Sequence, residues 1–143
     1  MKYKLTNNTK IHKGIILFQI QALKSFKNVK AGDLGGWIGK ESNLSQEGEC
    51  WVSGNAKVSG NALIFGNARV SGNAWVYGNA RVYGNAQVYG NALVYGNALV
   101  YGNAEVYGDA EVFGYAEVFG YAKVYGDAEV FGDAKVCEGE FKN

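Results

Sequence analysis

The sequence is poor in the residues that most often carry chemistry. Its 143 residues include one histidine, two cysteines, one methionine and no proline. A catalytic zinc ion needs several ligands held together, and carbonic anhydrases use histidines for this purpose. His12 alone cannot supply them, so we expect no bound metal and no cofactor. Cys50 and Cys137 lie at opposite ends of a long repeat, too far apart for a disulfide, and are expected to be free thiols.

Long apolar segments are missing as well. The densest early run, Ile15 to Phe18, is only four residues long, whereas a membrane-spanning helix needs roughly 18 residues or more. The first eight residues carry charged and amide side chains where a signal peptide has its apolar region. We therefore expect a soluble, cytoplasmic protein without a membrane partner. A specific nucleic-acid partner is not expected either.

Charge is distributed unevenly along the chain, although the net charge is only +1. Residues 1–40 contain eight lysines and the single acidic residue Asp33, whereas residues 105–140 contain nine acidic residues and two lysines, Lys123 and Lys135. This gradient has two interpretations. It is either ordinary solubilising charge, or it attracts a partner or the opposite end of a second copy.

A six-residue repeat occupies most of the chain. From Ala56 onward, fourteen consecutive hexads keep alanine in the first slot and valine or isoleucine in the third, and Cys50 to Asn55 form a degenerate first member. The alternation places both apolar residues on one face of a short strand. The Gly-Asn pair that usually follows suits a tight corner with left-handed backbone geometry. Apolar residues recurring at this spacing, with glycine in every hexad, exclude an α-helix.

Strands this short bury their apolar side only when successive coils stack. Three hexads per coil give an 18-residue turn and about five coils. The pattern Val-x-Gly-Asn-Ala-x resembles the hexapeptide-repeat superfamily over about residues 50–137. This resemblance implies an all-β fold, a left-handed parallel β-helix, and it favours a homotrimer. It does not specify an activity, because one fold carries many functions.

The first 49 residues lie outside the repeat. Alternating apolar residues predict strands over residues 2–6, 9–12 and 15–23, which form a small antiparallel cap, with Trp37 and Ile38 closing the first coil. The glycines between Gly32 and Gly36 are expected to make tight turns leading into that coil. The predicted domains are the cap and its connecting loop (1–49), the β-helix (50–137) and a C-terminal tail (138–143).

The head also carries a resemblance of its own. The segments Val-Lys-Ala-Gly-Asp-Leu-Gly-Gly-Trp-Ile (29–38) and Asn-Leu-Ser-Gln-Glu-Gly (43–48) are similar to the head of small hexapeptide-repeat proteins encoded by bacteriophages and prophages. With the Gly-Asn-Ala coils, the likeness spans most of the chain. It implies a phage or prophage gene, and hence the host cytoplasm, but no particular chemistry.

Aromatic side chains dominate the outward slot that follows each inward valine. Because the same face returns every 18 residues, three stacks are predicted: Tyr77, Tyr95, Phe113 and Phe131; Phe65, Tyr83, Tyr101 and Phe119; and Tyr89, Tyr107 and Tyr125. Such stacks either stabilise the coils through contacts on one face or form a binding surface. The sequence leaves both interpretations open.

Two further sets of outward residues are candidates for contacts. The slot after alanine is apolar on two of the three faces, and adjacent apolar patches favour an interface. A closed threefold assembly would bury both patches. We therefore predict a homotrimer with contacts at Leu63, Trp75, Leu93 and Leu99. Tyr115 and Tyr121 take corner slots that asparagine or aspartate fills in most hexads. They are either drifted corners or contacts for a partner.

Three functions are compatible with these features. The favoured one is a non-catalytic scaffold, without catalytic residues, that presents aromatic faces to a protein or small ligand. The superfamily resemblance makes an acyltransferase the second hypothesis. Such an enzyme usually needs a histidine base on a coil or its loop, whereas His12 lies in the head. The third is a phage anti-defence protein that inhibits a host protein or sequesters a signalling nucleotide. It would need pockets between protomers lined by aromatic residues and lysines.

Overall fold

The computed structural model describes residues 1–142, so that Asn143 of the predicted tail lies outside the described residues. A 3₁₀-helix covers Glu41–Asn43. The strands, in chain order, are β1 (Tyr3–His12), β2 (Ile15–Ala22), β3 (Leu34–Ile38), β4 (Trp51–Val52), β5 (Lys57–Val58), β6 (Leu63–Ile64), β7 (Arg69–Val70), β8 (Trp75–Val76), β9 (Arg81–Val82), β10 (Gln87–Val88), β11 (Leu93–Val94), β12 (Leu99–Val100), β13 (Glu105–Val106), β14 (Glu111–Val112), β15 (Glu117–Val118), β16 (Lys123–Tyr125), β17 (Glu129–Val130), β18 (Lys135–Val136) and β19 (Glu140–Lys142). Within residues 1–142 no helix is long and apolar enough to cross a membrane.

The short strands stack into a three-sided parallel β-solenoid. Strand β11, for example, pairs in parallel with β8 and β14, which lie one 18-residue turn before and after it. The first face consists of β3, β5, β8, β11, β14 and β17, the second of β6, β9, β12, β15 and β18, and the third of β4, β7, β10, β13, β16 and β19. The predicted all-β, parallel coil with an 18-residue turn is confirmed.

The interior is built from the two inward slots of each hexad. Ala92 and Val94 are fully buried, as are the equivalent residues of nearly every other coil. The backbone N–H of Tyr77 donates to the carbonyl of Val94 at 3.0 Å, and that of Asn79 at the corner donates to Gly96 at 2.8 Å. Each coil is thus bonded to the next along its strands and at its corners, which satisfies backbone groups that would otherwise be costly to bury.

The solenoid has about six turns and not five, because it begins inside the head. Ile38 is fully buried in register with Val58, whereas Trp37 points outward, beside Lys57. Gly35 and Gly36, predicted to form turns, belong to strand β3. A Cβ atom on Gly35 would lie 2.7 Å from the Val52 carbonyl oxygen, and one on Gly36 would lie 2.7 Å from Val52 Cγ1. These glycines allow β3 to pack closely on the next coil.

The head is a three-stranded antiparallel sheet that continues the first face. Strand β2 pairs antiparallel with β1 and β3, and β3 pairs in parallel with β5. The predicted break at Asn7-Asn8 is a register shift within one long strand, between Leu5 and Thr9. At the other end, residues 140–142 of the predicted tail form β19, which extends the third face.

A buried lysine closes the top of the solenoid. Lys2 is only 1% exposed, and its ammonium group donates to the carbonyls of Cys50 at 2.8 Å, Gly48 at 3.3 Å and Glu47 at 3.5 Å. It also lies 5.2 Å from the ring centroid of Phe26. Burial lowers the pKa of the Lys2 ammonium, and the neighbouring Cys50 opposes this shift. The ammonium thus satisfies carbonyl groups that the first turn leaves without strand partners.

Candidate functional site

The end of the β1–β2 hairpin lies over the outside of the first face. Lys10 and His12 occupy alternate positions of β1 and point to the same side. The Lys10 ammonium lies 4.1 Å from the ring centroid of Trp37. The His12 ring meets Trp75, two strands further along the face, at 4.5 Å between centroids and 83° between planes. The hairpin therefore reaches across the outside of the face, well beyond strand β3, with which β2 pairs.

A pocket of about 570 Å³ opens where the hairpin end meets the face, and its lining comes from both parts: His12, Lys13, Lys57, Asn73, Trp75, Tyr77 and Leu93. The Trp75 indole stacks on Tyr77 at 3.9 Å between ring centroids and donates its N–H to the Ser59 hydroxyl at 3.0 Å. Tyr77 in turn stacks on the ring of the next coil. The aromatic side of this pocket, called the hairpin pocket below, is thereby held in one orientation.

The electrostatics of the hairpin pocket are positive. Burial lowers the pKa of the His12 imidazole, and the nearby charges of Lys57, Lys13 and Lys10 lower it further. Burial and Lys10 also lower the pKa of the Lys57 ammonium. The one ion pair found between side chains in the described part of the chain joins Lys27 and Glu49, in the head and first coil. His12 is therefore neutral near pH 7, beside lysines that no carboxylate in residues 1–142 pairs with.

The three predicted aromatic stacks are confirmed. In the stack that begins at Tyr77, neighbouring ring centroids lie 4.8, 5.0 and 5.4 Å apart and the planes are within 10° of parallel. The other two stacks have the same geometry, with planes 3–7° apart. Since each ring covers the face of the next, the stacks expose mainly ring edges. This arrangement favours the structural interpretation, in which same-face contacts stiffen the coils.

Glutamates of the acidic C-terminal half bind the edges of these stacks. The hydroxyls of Tyr89, Tyr95 and Tyr101 each donate to the glutamate sixteen residues later, at 2.8–3.0 Å, and Tyr125 donates to Glu140 at 2.7 Å. Burial and then this glutamate raise the pKa of Tyr89, Tyr95 and Tyr101 to about 12. The glutamate stands two residues before the position that lies one 18-residue coil after the tyrosine. This spacing of sixteen residues is the signal that could have identified these pairs.

We expect these pairs to make stability fall between pH 10 and 12. An unfolded tyrosine ionises near 10, whereas Tyr89, Tyr95 and Tyr101 ionise at about 12 in the fold. Their contribution is thus complete below pH 10 and is lost as the pH approaches 12. Urea unfolding at several pH values measures this decline. In the triple variant E105Q/E111Q/E117Q, phenolate absorbance should appear at lower pH, and a titration curve identical to that of the wild type would contradict the assignment.

The four predicted interface residues do not form one patch. Trp75 and Leu93 are neighbours on the first face and both line the hairpin pocket. On the second face, Arg81 separates Leu63 from Leu99. Leu63 instead borders a second pocket of about 620 Å³, formed with residues of the first turn. Part of the predicted apolar surface is therefore occupied by contacts within one chain.

The homotrimer stays a prediction, and light scattering tests it. We expect a molar mass about three times the 15.4 kDa of the chain. The double variant L63E/L99E, which leaves the hairpin pocket intact, should dissociate the assembly because it places charge on the second face of each copy. A wild-type monomer would exclude the trimer. A variant that keeps the wild-type mass would place the interface elsewhere.

Tyr115 and Tyr121 extend from corners into solvent, with exposures of 66% and 76%. At equivalent corners, Asn61 and Asn91 donate to Asn79 and Asp109 of the next coil. The double variant Y115N/Y121N should therefore melt at the same temperature as the wild type or slightly higher, because asparagine suits the corner. A drop of several degrees would show that the two rings stabilise the fold. Their role in partner contact stays a prediction.

The fold and this site define a parallel β-solenoid protein with a hairpin laid across one face. Residues 56–72, 62–78, 74–88, 86–102 and 94–108 match the family model described as YdcK Beta solenoid repeat. The chain is also 50% identical over 40 residues to the "Uncharacterized acetyltransferase YdcK" of Escherichia coli (strain K12). That alignment covers 28% of this chain and 12% of the relative, a small part of its length. Both matches support a β-solenoid repeat family.

Proposed function

We propose that this chain is a non-catalytic scaffold that binds a small ligand in the hairpin pocket. The observation that carries the proposal is the contact of the hairpin end with Trp75, beside which an open pocket of about 570 Å³ lies between two parts of one chain. Ligand pockets in proteins have volumes of about 300–1,000 Å³ and combine apolar walls with a few polar groups. The walls here include Trp75, Tyr77 and Leu93, and the polar groups come from the hairpin and the coils.

The aromatic stack that begins at Tyr77 supplies the rigidity that such a site needs. Trp75 is fixed by Tyr77 on one side and by Ser59 at its indole nitrogen. Tyr77 belongs to a stack that continues over the next three coils. A side chain held in this way loses little further freedom when a ligand binds, and this preorganisation raises affinity. The aromatic faces thus serve the site mainly by holding it in shape.

The same proposal includes two further points. The protein is located in the cytoplasm of a phage-infected or lysogenic host, and it assembles as a homotrimer. Cys50 is a free, buried thiol and Cys137 a free, exposed one, as a reducing compartment allows. The resemblance of the head to phage and prophage proteins supports the origin. The partly exposed Leu63 and Leu99 support the assembly.

Native mass spectrometry tests ligand binding without a choice of ligand. After incubation with a bacterial metabolite extract, the wild type should retain a small molecule. The variant L93E should retain none, because it places a carboxylate in the pocket wall. The matched control Q87E adds the same charge in the same slot of the third face and should behave as the wild type. A wild type without any retained molecule would contradict the proposal, as would retention that L93E leaves unchanged.

An acyltransferase is the second candidate, and two observations favour it. One is the short match to a protein named as an acetyltransferase. The other is that His12, neutral near pH 7, lines the hairpin pocket, where an imidazole of this kind can accept a proton. The scaffold proposal expects no acetyl transfer from acetyl-CoA to amine or hydroxyl acceptors. Transfer that disappears in H12A and persists in K13Q would establish the enzyme instead.

A further inference from the structure

We infer that the hairpin pocket takes a small anionic ligand with a planar aromatic part, of the nucleoside phosphate class. The inference rests on the proposed binding function and specifies the ligand. Two features of the pocket carry it. They are a group of lysines without a carboxylate partner in residues 1–142, and an apolar wall built around an indole ring.

The lysines of the pocket favour a negatively charged ligand. Lys13 comes from the hairpin turn and Lys57 from the first face, and both line the pocket, with Lys10 close enough to affect Lys57. The lining contains no aspartate or glutamate. Like charges brought together repel one another unless an anion lies between them. A phosphate group carries about 1.5–2 negative charges at pH 7 and has three acceptor oxygens, so it complements two or three ammonium groups.

The apolar part of the lining suits an aromatic ring. Trp75, Tyr77 and Leu93 form its apolar surface, and aromatic side chains are the usual contacts of nucleobases because every base has a π-face. Asn73 adds an amide that both donates and accepts hydrogen bonds, as the polar edge of a base requires. Basic and aromatic groups thus line one cavity, with Lys57 beside Trp75 on the first face and Lys13 on the hairpin turn, so that a ligand carrying both a phosphate and a base can contact both kinds of group.

A long nucleic acid does not fit this surface. Beyond Leu93 the same slot of the first face carries Glu111 and then Glu129. A polyanion bound along the face would meet these carboxylates, whereas nucleic-acid sites follow the backbone with continuous positive charge. Positive charge therefore does not continue along the coils beyond the pocket, which favours a small ligand over a long nucleic acid.

Calorimetric titration with separate parts of the ligand tests the inference on the full chain. We expect at least one of AMP, GMP, CMP and UMP to bind at least tenfold more tightly than its nucleoside and than inorganic phosphate. Coenzyme A, which contains an adenosine phosphate, is titrated in parallel and shows whether the natural ligand belongs to the mononucleotides or to the acyl carriers. Affinity should fall as the salt concentration rises, because the contacts are ionic.

The double variant K13Q/K57Q should weaken nucleotide binding at least tenfold and remove the preference over the nucleoside. The control K123Q/K135Q removes two exposed lysines from the third and second faces and should leave affinity unchanged. Melting temperatures of both variants confirm folding. Equal affinity for nucleotide and nucleoside, or full affinity in K13Q/K57Q, would overturn the inference, and so would inorganic phosphate binding as tightly as the nucleotide.

The two proposals fail in different ways. If the protein retains a neutral small molecule in native mass spectrometry, and L93E loses it, the ligand class is wrong while the binding function stands. If nothing is retained from the extract and none of the nucleotides binds, both proposals fail.

Discussion

Val94→Asp should abolish cooperative folding. Val94 is fully buried and pairs with Val76 and Val112 in the coils on either side, so a carboxylate there would meet only alkyl groups and backbone. Burying an unpaired charge costs several kcal/mol. A domain is stable by only about 5–15 kcal/mol in total. We expect loss of the strand-type circular dichroism signal and of the thermal transition.

Two further variants give this experiment its controls. Val100→Asp, in the equivalent inward slot of the second face, should fail in the same way because Val100 is also fully buried. Gln87→Lys, in an exposed outward slot, should change stability by less than about 0.5 kcal/mol. A V94D protein with the wild-type melting temperature would contradict the inward position of the valines.

Gly96→Ala should be the more costly of two substitutions made at the same corner of the solenoid. Gly96 and Gly132 both have left-handed backbone angles, with φ values of +69° and +64°. A Cβ on Gly96 would lie 2.8 Å from the backbone nitrogen of Gly114 in the next coil, whereas one on Gly132 would meet no atom within 4 Å. Only Gly96 therefore combines an unfavourable φ with crowding against a neighbouring backbone.

The two costs can be separated by urea denaturation. Gly132→Ala carries only the conformational term, about 1–2 kcal/mol. Gly96→Ala adds overpacking, typically about 1–3 kcal/mol more. If both variants lose the same stability, the corner glycines are required for their backbone angle alone. In that case the close approach between successive corners has no energetic role.

The coiled part of the fold could be predicted because its determinants are local and repeated. In each hexad alanine and valine alternate and are followed in most cases by glycine and asparagine. Every hexad therefore predicts a short strand followed by a corner. The stacks follow from the 18-residue turn alone, so that Tyr77, Tyr95 and Phe113 were aligned correctly. The pairs between Tyr89 and Glu105 and their equivalents follow from the same period, but they require comparison of two different slots.

The head could be predicted only in outline, because its structure depends on contacts between distant residues. Strands β1 and β2 show in the apolar alternation, yet β3 contains Gly35 and Gly36 and resembles a turn in composition. Strand β3 pairs with β2 and β5, which are distant in sequence, and its glycines lie close against Val52. Glycine is selected there for the close approach and not for a positive φ, a distinction that sequence alone does not make.

The candidate site was missed for the same reason. Trp75 was assigned to an interface between copies, since its slot is outward, and His12 was assigned to a strand of the N-terminal cap without a functional role. The hairpin brings these two residues to 4.5 Å between ring centroids, although 63 positions separate them. Pockets lined by lysines and aromatic residues were considered only between protomers, as a requirement of the anti-defence hypothesis, whereas this pocket lies within a single chain. The direction in which a hairpin bends is set by tertiary packing, which no local pattern encodes.

Hydrogen–deuterium exchange with and without the bacterial metabolite extract is the most direct test of the central claim, that a ligand binds between the hairpin end and the first face. We predict slower exchange at residues 10–15, 57–59 and 73–77, with little change in the second and third faces. Protection confined to those other faces, or no protection anywhere, would contradict it.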